Sequence, residues 1–113
     1  MTQNERADVL LVEDNPDDVE LSLRALKRAH LVNPIRIARD GAEALDLLFG
    51  SGEPRVPWMP RVVLLDLKLP RVGGLQVLER IRADARTKSL PVVVLTSSRE
   101  EPDVRRAYEL GAN

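Results

Sequence analysis

The sequence predicts a doubly wound α/β fold: a parallel sheet with helices on both faces. Two observations carry this. First, three short runs, Val9–Val12, Val62–Leu65 and Val92–Leu95, are aliphatic at every position. A strand buried on both faces needs such a run, whereas a half-exposed strand would alternate. Second, the apolar spacing between these runs turns helical, so strands and helices alternate along the chain. That order implies right-handed crossovers and a parallel sheet.

The elements follow in turn. After the first run, Val19, Leu23, Leu26 and His30 recur at four, three and four residues, which is one face of a helix. Asn15 suits its N-cap and Pro16 its first turn, and Asp17 and Asp18 suit its positive end. Ile35–Ala38 alternates, as a strand nearer the sheet edge does. Ala42, Leu45 and Leu48 mark a second helix, and Leu75, Leu78, Ile81 and Ala85 a third. Val104, Ala107 and Tyr108 mark a fourth, which Gly111 stops. The stretch 50–60, with three prolines and two glycines, reads as a surface loop.

The 113 residues suit one domain, 1–113, with no composition shift to suggest a second. Its core must be aliphatic, because Phe49, Trp58 and Tyr108 are the only aromatics. The absence of cysteine excludes disulfides, thiol chemistry and cysteine-ligated zinc, and fits a reducing cytoplasm. A net charge of −1 lacks the basic excess of a nucleic-acid binder. The apolar runs are too short to cross a membrane, and the polar start is no signal peptide.

In a sheet of this kind, ligands bind beyond the carboxyl ends of the strands, where the winding reverses. The first run ends in Glu13-Asp14, the third in Asp66 and the fourth in Thr96-Ser97-Ser98. Three carboxylates converging there would raise one another's pKa values, and a hard divalent cation relieves that conflict. Magnesium suits such a site because it accepts few carboxylates, keeps several waters and leaves room for a phosphate oxygen. Asp66 is then a candidate nucleophile for phosphoryl transfer, with Thr96 as a hydroxyl donor to the moving oxygens. The bland alternatives are a solvated acidic rim and a β-branched residue that merely ends a strand. Asp17 and Asp18 read better as capping acids than as ligands.

Taken together, Leu11-Val12-Glu13-Asp14-Asn15, Leu65-Asp66-Leu67-Lys68-Leu69-Pro70 with Gly73-Gly74, and Val94-Leu95-Thr96-Ser97 resemble the receiver domain of two-component response regulators. Asp40-Gly41 and Gly111-Ala112-Asn113 are in register with it, so the resemblance runs from Val9 to Asn113. It implies the flavodoxin-like receiver fold with strand order 2-1-3-4-5. It also implies a phosphoryl group taken by Asp66 from a sensor histidine kinase. Asp14 would bind Mg2+ directly, Glu13 mostly through water, and the backbone carbonyl of Lys68 would complete the protein ligands. Thr96 would be the switch hydroxyl, and the side chains of Lys68 and Ser98 would tune the lifetime of the phosphorylated state. The acidic opening and the 50–60 loop are most similar to small stand-alone receivers, including those paired with phytochrome-type kinases. An unidentified downstream protein would read the signal, and a homodimer through the fourth-helix face is left open.

One departure stands out. The family's fifth strand and last helix, which carry a switch aromatic and a lysine, do not follow Asn113. The chain as given is therefore expected to be part of a longer one, with the fourth strand's flank exposed. Three rival readings compete with this one. A haloacid-dehalogenase-type phosphatase would want an acid where Lys68 stands. A nucleotide-binding enzyme would want a glycine-rich loop where Glu13-Asp14 stands. A receiver-like docking module that is never phosphorylated remains the alternative. His30, the only histidine, reads as a helix-end or partly buried residue and not as a phosphocarrier.

Overall fold

The structure is a computed structural model that describes residues 8–31, 33–50, 59–67, 72–95 and 101–112, with residues 101–104 described by their backbone alone. In chain order the elements are β1 (Val9–Val12), α1 (Pro16–Arg28), β2 (Ile35–Ala38), α2 (Gly41–Phe49), β3 (Val62–Leu65), α3 (Gly74–Ala83), β4 (Val92–Val94) and α4 (Glu101–Glu109). The strands lie parallel in the order β2-β1-β3-β4. The expected doubly wound sheet and its order are thus present through the fourth strand.

Both faces of the sheet are apolar, and successive residues of each strand serve opposite faces. Leu10, Val12, Val63, Leu65 and Val92 pack with Ala44 and Leu48 of α2, Val77, Leu78 and Ile81 of α3, and Ala107 of α4. Val9, Leu11 and Leu64 face the other way, against Val19, Leu23 and Leu26 of α1. This division follows from the winding. The chain steps from β1 to β2 in one direction and from β2 across to β3 in the other, so right-handed crossovers put α1 and α2 on opposite faces. The reversal lies between β1 and β3.

Local chemistry starts the helices, for α1 as expected. The Asn15 side chain accepts from the Asp17 N–H at 2.8 Å and the Asp18 N–H at 3.4 Å, with Pro16 in the first turn. Asp40 caps α2 by accepting from the Glu43 N–H at 2.7 Å, and Glu43 accepts in return from the Arg39 N–H at 3.3 Å. Gly73 has no side chain to cap α3, and Gln76 accepts from its N–H at 3.0 Å.

The helix ends differ from expectation. α1 stops at Arg28, and His30 is exposed in the left-handed region with φ 63°. The N–H groups of His30 and Leu31 reach back to the carbonyls of Lys27 and Leu26, a Schellman ending in which Leu31 takes the next core position. α4 ends in the same way, but with Gly111 at φ 79° in the left-handed position. A left-handed conformation costs a side chain more than it costs glycine. His30→Gly is therefore expected to raise stability by about 0.5–1 kcal/mol, read as a higher urea midpoint at unchanged slope.

α3 stops at Ala83, leaving Ala85 exposed beyond it, and the buried row is Val77, Leu78 and Ile81. The turn that follows is closed by Thr87, whose buried hydroxyl donates to the Ile81 carbonyl at 2.6 Å. In α2 the buried positions are Gly41, Ala44 and Leu48, with Ala42 and Leu45 half-buried. Most of the 50–60 loop, including Trp58, lies outside the described residues.

Candidate functional site

The strand register brings the acids together. Val12 pairs with Leu65, and Leu65 with Val94, so β1, β3 and β4 finish at the same level. The residues one step beyond, Glu13, Asp66 and Leu95, then emerge side by side. Ladder bonds run past the strand ends to hold them: Asp66 N–H to Val12 O at 3.1 Å, Glu13 N–H to Ala38 O at 3.0 Å, and Leu95 N–H to Leu65 O at 2.8 Å.

Carboxylate oxygens of Glu13, Asp14 and Asp66 all lie within 4.8 Å of one another. Glu13 is buried, Asp66 half-buried and Asp14 exposed, so the cluster grades from the sheet edge out to solvent. Burial pushes the Glu13 carboxyl up to about 7, and its hydrogen bond to Asp66 and the Asp66 and Asp18 charges push the same way. A bond accepted from the Asn15 N–H at 3.1 Å offsets only part of this. Packed carboxylates with hard oxygen donors and one strongly raised pKa fit a divalent cation, whose charge would reverse the penalty.

A glycine sets the approach of the next element. The Gly74 N–H donates to the Leu67 carbonyl at 3.2 Å as α3 begins. A Cβ on Gly74 would overlap the Asp66 carbonyl oxygen and come within 2.5 Å of the Leu67 Cα. Likewise, a Cβ on Gly41 at the start of α2 would overlap the Val72 carbonyl and sit 2.8 Å from its Cβ. The starts of α2 and α3 therefore press on Val72 and on the Asp66–Leu67 backbone, respectively, at two positions that tolerate no side chain. Sequence reasoning noted Gly73-Gly74 but missed this role. The available signal was a helix start with two glycines and no Ser, Thr, Asp or Asn cap. Thr96 and Lys68, the two other expected site residues, lie outside the described residues, as does Ser98.

Residues 9–113 match the response regulator receiver domain family. The chain belongs to that family. Among its relatives, the bacteriophytochrome response regulator RtBRR is 52% identical with a TM-score of 0.82, over 93% of this chain and 64% of that one. Response regulator Rcp1 of Synechocystis is 41% identical over 105 residues, 93% of this chain and 71% of that protein. Its Mn(2+)-bound form superposes with a TM-score of 0.84 over 76% of that chain. The phosphorylated cyanobacterial phytochrome response regulator RcpA is 39% identical, with a TM-score of 0.84, over 93% of this chain and 75% of that one. The chain thus spans about two-thirds to three-quarters of the length of these relatives.

As a receiver, the chain is a signalling module, and the acid cluster sits at the winding reversal where the fold places ligands. No helix among the described residues is long and apolar enough to cross a membrane.

Proposed function

We propose that this chain is one receiver unit, residues 1–113, that takes a phosphoryl group on Asp66 and signals by changing shape. The observation that carries the reading is the packing of the Glu13, Asp14 and Asp66 carboxylates within 4.8 Å at the reversal of a receiver sheet. A relative solved with Mn(2+) bound and another solved phosphorylated support it.

In this reading Asp14 and Asp66 hold Mg2+ directly, Glu13 holds it mostly through water, and the Lys68 carbonyl completes the protein ligands. When bound, the cation neutralises the acid cluster and charge on the incoming phosphoryl oxygens. Asp66 is the nucleophile. One of its carboxylate oxygens forms a bond to phosphorus as the phosphorus–nitrogen bond of a kinase phosphohistidine breaks, and the electron pair leaves with the imidazole. The ladder bond from Asp66 N–H to Val12 O holds the backbone of the nucleophile in place. Glu13 gives up its proton as the cluster fills. Thr96 then donates its hydroxyl to the phosphoryl group, and the segment from Ser97 to Leu110 repacks. Transfer and later hydrolysis are self-catalysed, and no separate substrate is turned over.

The kinase is phytochrome-type in this reading, by analogy with the bacteriophytochrome response regulator RtBRR and the phytochrome response regulator RcpA, and the site of action is the cytoplasm. The test is the intact mass before and after acetyl phosphate with Mg2+, beside Asp66→Asn. Gain of one phosphoryl group by the parent and none by the variant is expected. No gain by a chain that runs on beyond Asn113 overturns the phosphoacceptor reading and leaves a docking module; no gain by a chain ending at Asn113 points instead to the missing lysine strand, and the restored C-terminus is then tested.

A further inference from the structure

α2 begins at a glycine that its own backbone does not require. Gly41 lies outside the left-handed region, which Gly50 and Gly111 occupy, so other residues could adopt its conformation. Glycine also weakens a helix. What the position demands is space. Gly41 is buried, and an added Cβ would overlap the Val72 carbonyl oxygen and come within 2.8 Å of its carbonyl carbon. The start of α2 therefore lies directly on Val72, which packs against the core two residues before Gly74.

That contact closes a ring of links around the two less exposed acids of the cluster. Glu13 is tied to β2 by the bond from its N–H to the Ala38 carbonyl at 3.0 Å. From Ala38 the chain turns into α2, and the reciprocal bonds of Asp40 and Glu43, at 2.7 and 3.3 Å, hold residues 39–43 in one shape. Gly41 then rests on Val72, Gly73 follows, and Gly74 rests on the Asp66 carbonyl. The bond from Asp66 N–H to Val12 O at 3.1 Å closes the ring beside Glu13. Each link is a covalent step, a hydrogen bond or a contact without room for a methyl group. Packing this close transmits a displacement and does not absorb it.

We infer that Gly41 is a positioning residue for the acid cluster: by letting the start of α2 lie against Val72, it sets the spacing of the Glu13 and Asp66 carboxylates and hence their grip on a divalent cation. Gly41 offers no side chain to the cation and acts through Val72 and Gly74. The inference rests on the reading above that the cluster holds such a cation.

A Mn2+ titration followed by the electron paramagnetic resonance of the free ion tests it on the full chain, with urea midpoints measured alongside. Asp66→Asn is expected to bind about tenfold or more weakly than the parent, which places the ion at the cluster. Gly41→Ala is expected to weaken binding by about tenfold or more as well. Ala44→Gly lies in the same helix and loosens it without adding an atom against Val72. It is expected to lower the urea midpoint while affinity stays within about twofold. Should Gly41→Ala fail to fold, the cap of α2 carries the test. Asp40→Ala and Asp40→Asn remove the same charge, but only asparagine can still accept from the Glu43 N–H. The alanine variant is therefore expected to bind about threefold or more weakly than the asparagine variant. A Gly41→Ala protein that binds like the parent overturns the positioning role alone. So does Ala44→Gly weakening binding as much as Gly41→Ala, or equal binding by the two Asp40 variants. A parent that takes up no Mn2+, or an Asp66→Asn protein that binds as well as the parent, overturns the cation reading and the positioning role with it.

Discussion

Gly74→Ala is expected to destabilise the protein by about 2–3 kcal/mol and to weaken divalent-cation binding about 10- to 100-fold. The added methyl would meet backbone, the Asp66 carbonyl and the Leu67 Cα, and not the yielding end of a side chain. Either α3 retreats from the sheet, exposing Val77 and Leu78, or the Asp66–Leu67 peptide turns and takes the carboxylate with it. Both routes also strain the bond from the Gly74 N–H to Leu67 O. Gly73 is the internal control. Its nearest neighbour to an added Cβ is the Gln76 side-chain oxygen at 3.8 Å, an ordinary contact, and its backbone is extended. Gly73→Ser is therefore expected to cost nothing and to gain a few tenths of a kcal/mol as a better cap. Urea midpoints and a cation titration on each variant check this. A Gly74→Ala protein matching the parent in both would sink the account of how the Asp66–Leu67 backbone is positioned.

The metal-free protein is expected to lose stability as pH rises from about 4.5 through about 7, by up to roughly 3 kcal/mol, with added Mg2+ restoring most of it. The sign follows from Glu13. In the unfolded chain its carboxyl titrates at the ordinary 4.5, and in the fold at about 7. Between these values the folded state holds a proton that the unfolded chain has released. The stability it contributes is thus full below the lower value and lost as pH climbs through the upper one. Cation binding expels the same proton, so affinity is expected to climb with pH by at most about tenfold per unit and to level off above 7. Asp66→Asn removes a like charge and leaves the burial, which is the larger cause, so the slope shrinks without vanishing. Thermal unfolding across this range, with and without Mg2+, reads all three. Metal-free stability that stays flat from pH 4.5 to 8 would mean that Glu13 is solvated and the cluster looser than described.

Much of this protein is governed by chemistry close along the chain, and that part was legible in the sequence. Asn15, Pro16, Asp17 and Asp18 start α1 through contacts two or three residues away, so the start needed no knowledge of the fold. The aliphatic runs named the strands because continuous apolarity has no other economical use in a chain of this size. Glu13, Asp14 and Asp66 could be picked out because each closes or follows such a run, and strand ends are where a parallel sheet binds.

What only the tertiary structure decided depends on partners distant in sequence. Arg82 reads along the chain as a solvated cation on the last turn of a helix, yet it donates to carbonyls at 88, 90, 110 and 111. The buried row of α3 took in Val77 and released Ala85, because packing beside α2 and α4 chose among positions that periodicity leaves nearly equivalent. His30 continued the apolar spacing of α1, but the chain turned back before it, and Leu31 filled the core instead. The proton on Glu13 arises from burial and from a carboxylate on another strand. Local sequence sets propensity and pattern, while burial and close approach belong to pairs of elements, and those pairs exist only once the sheet has formed.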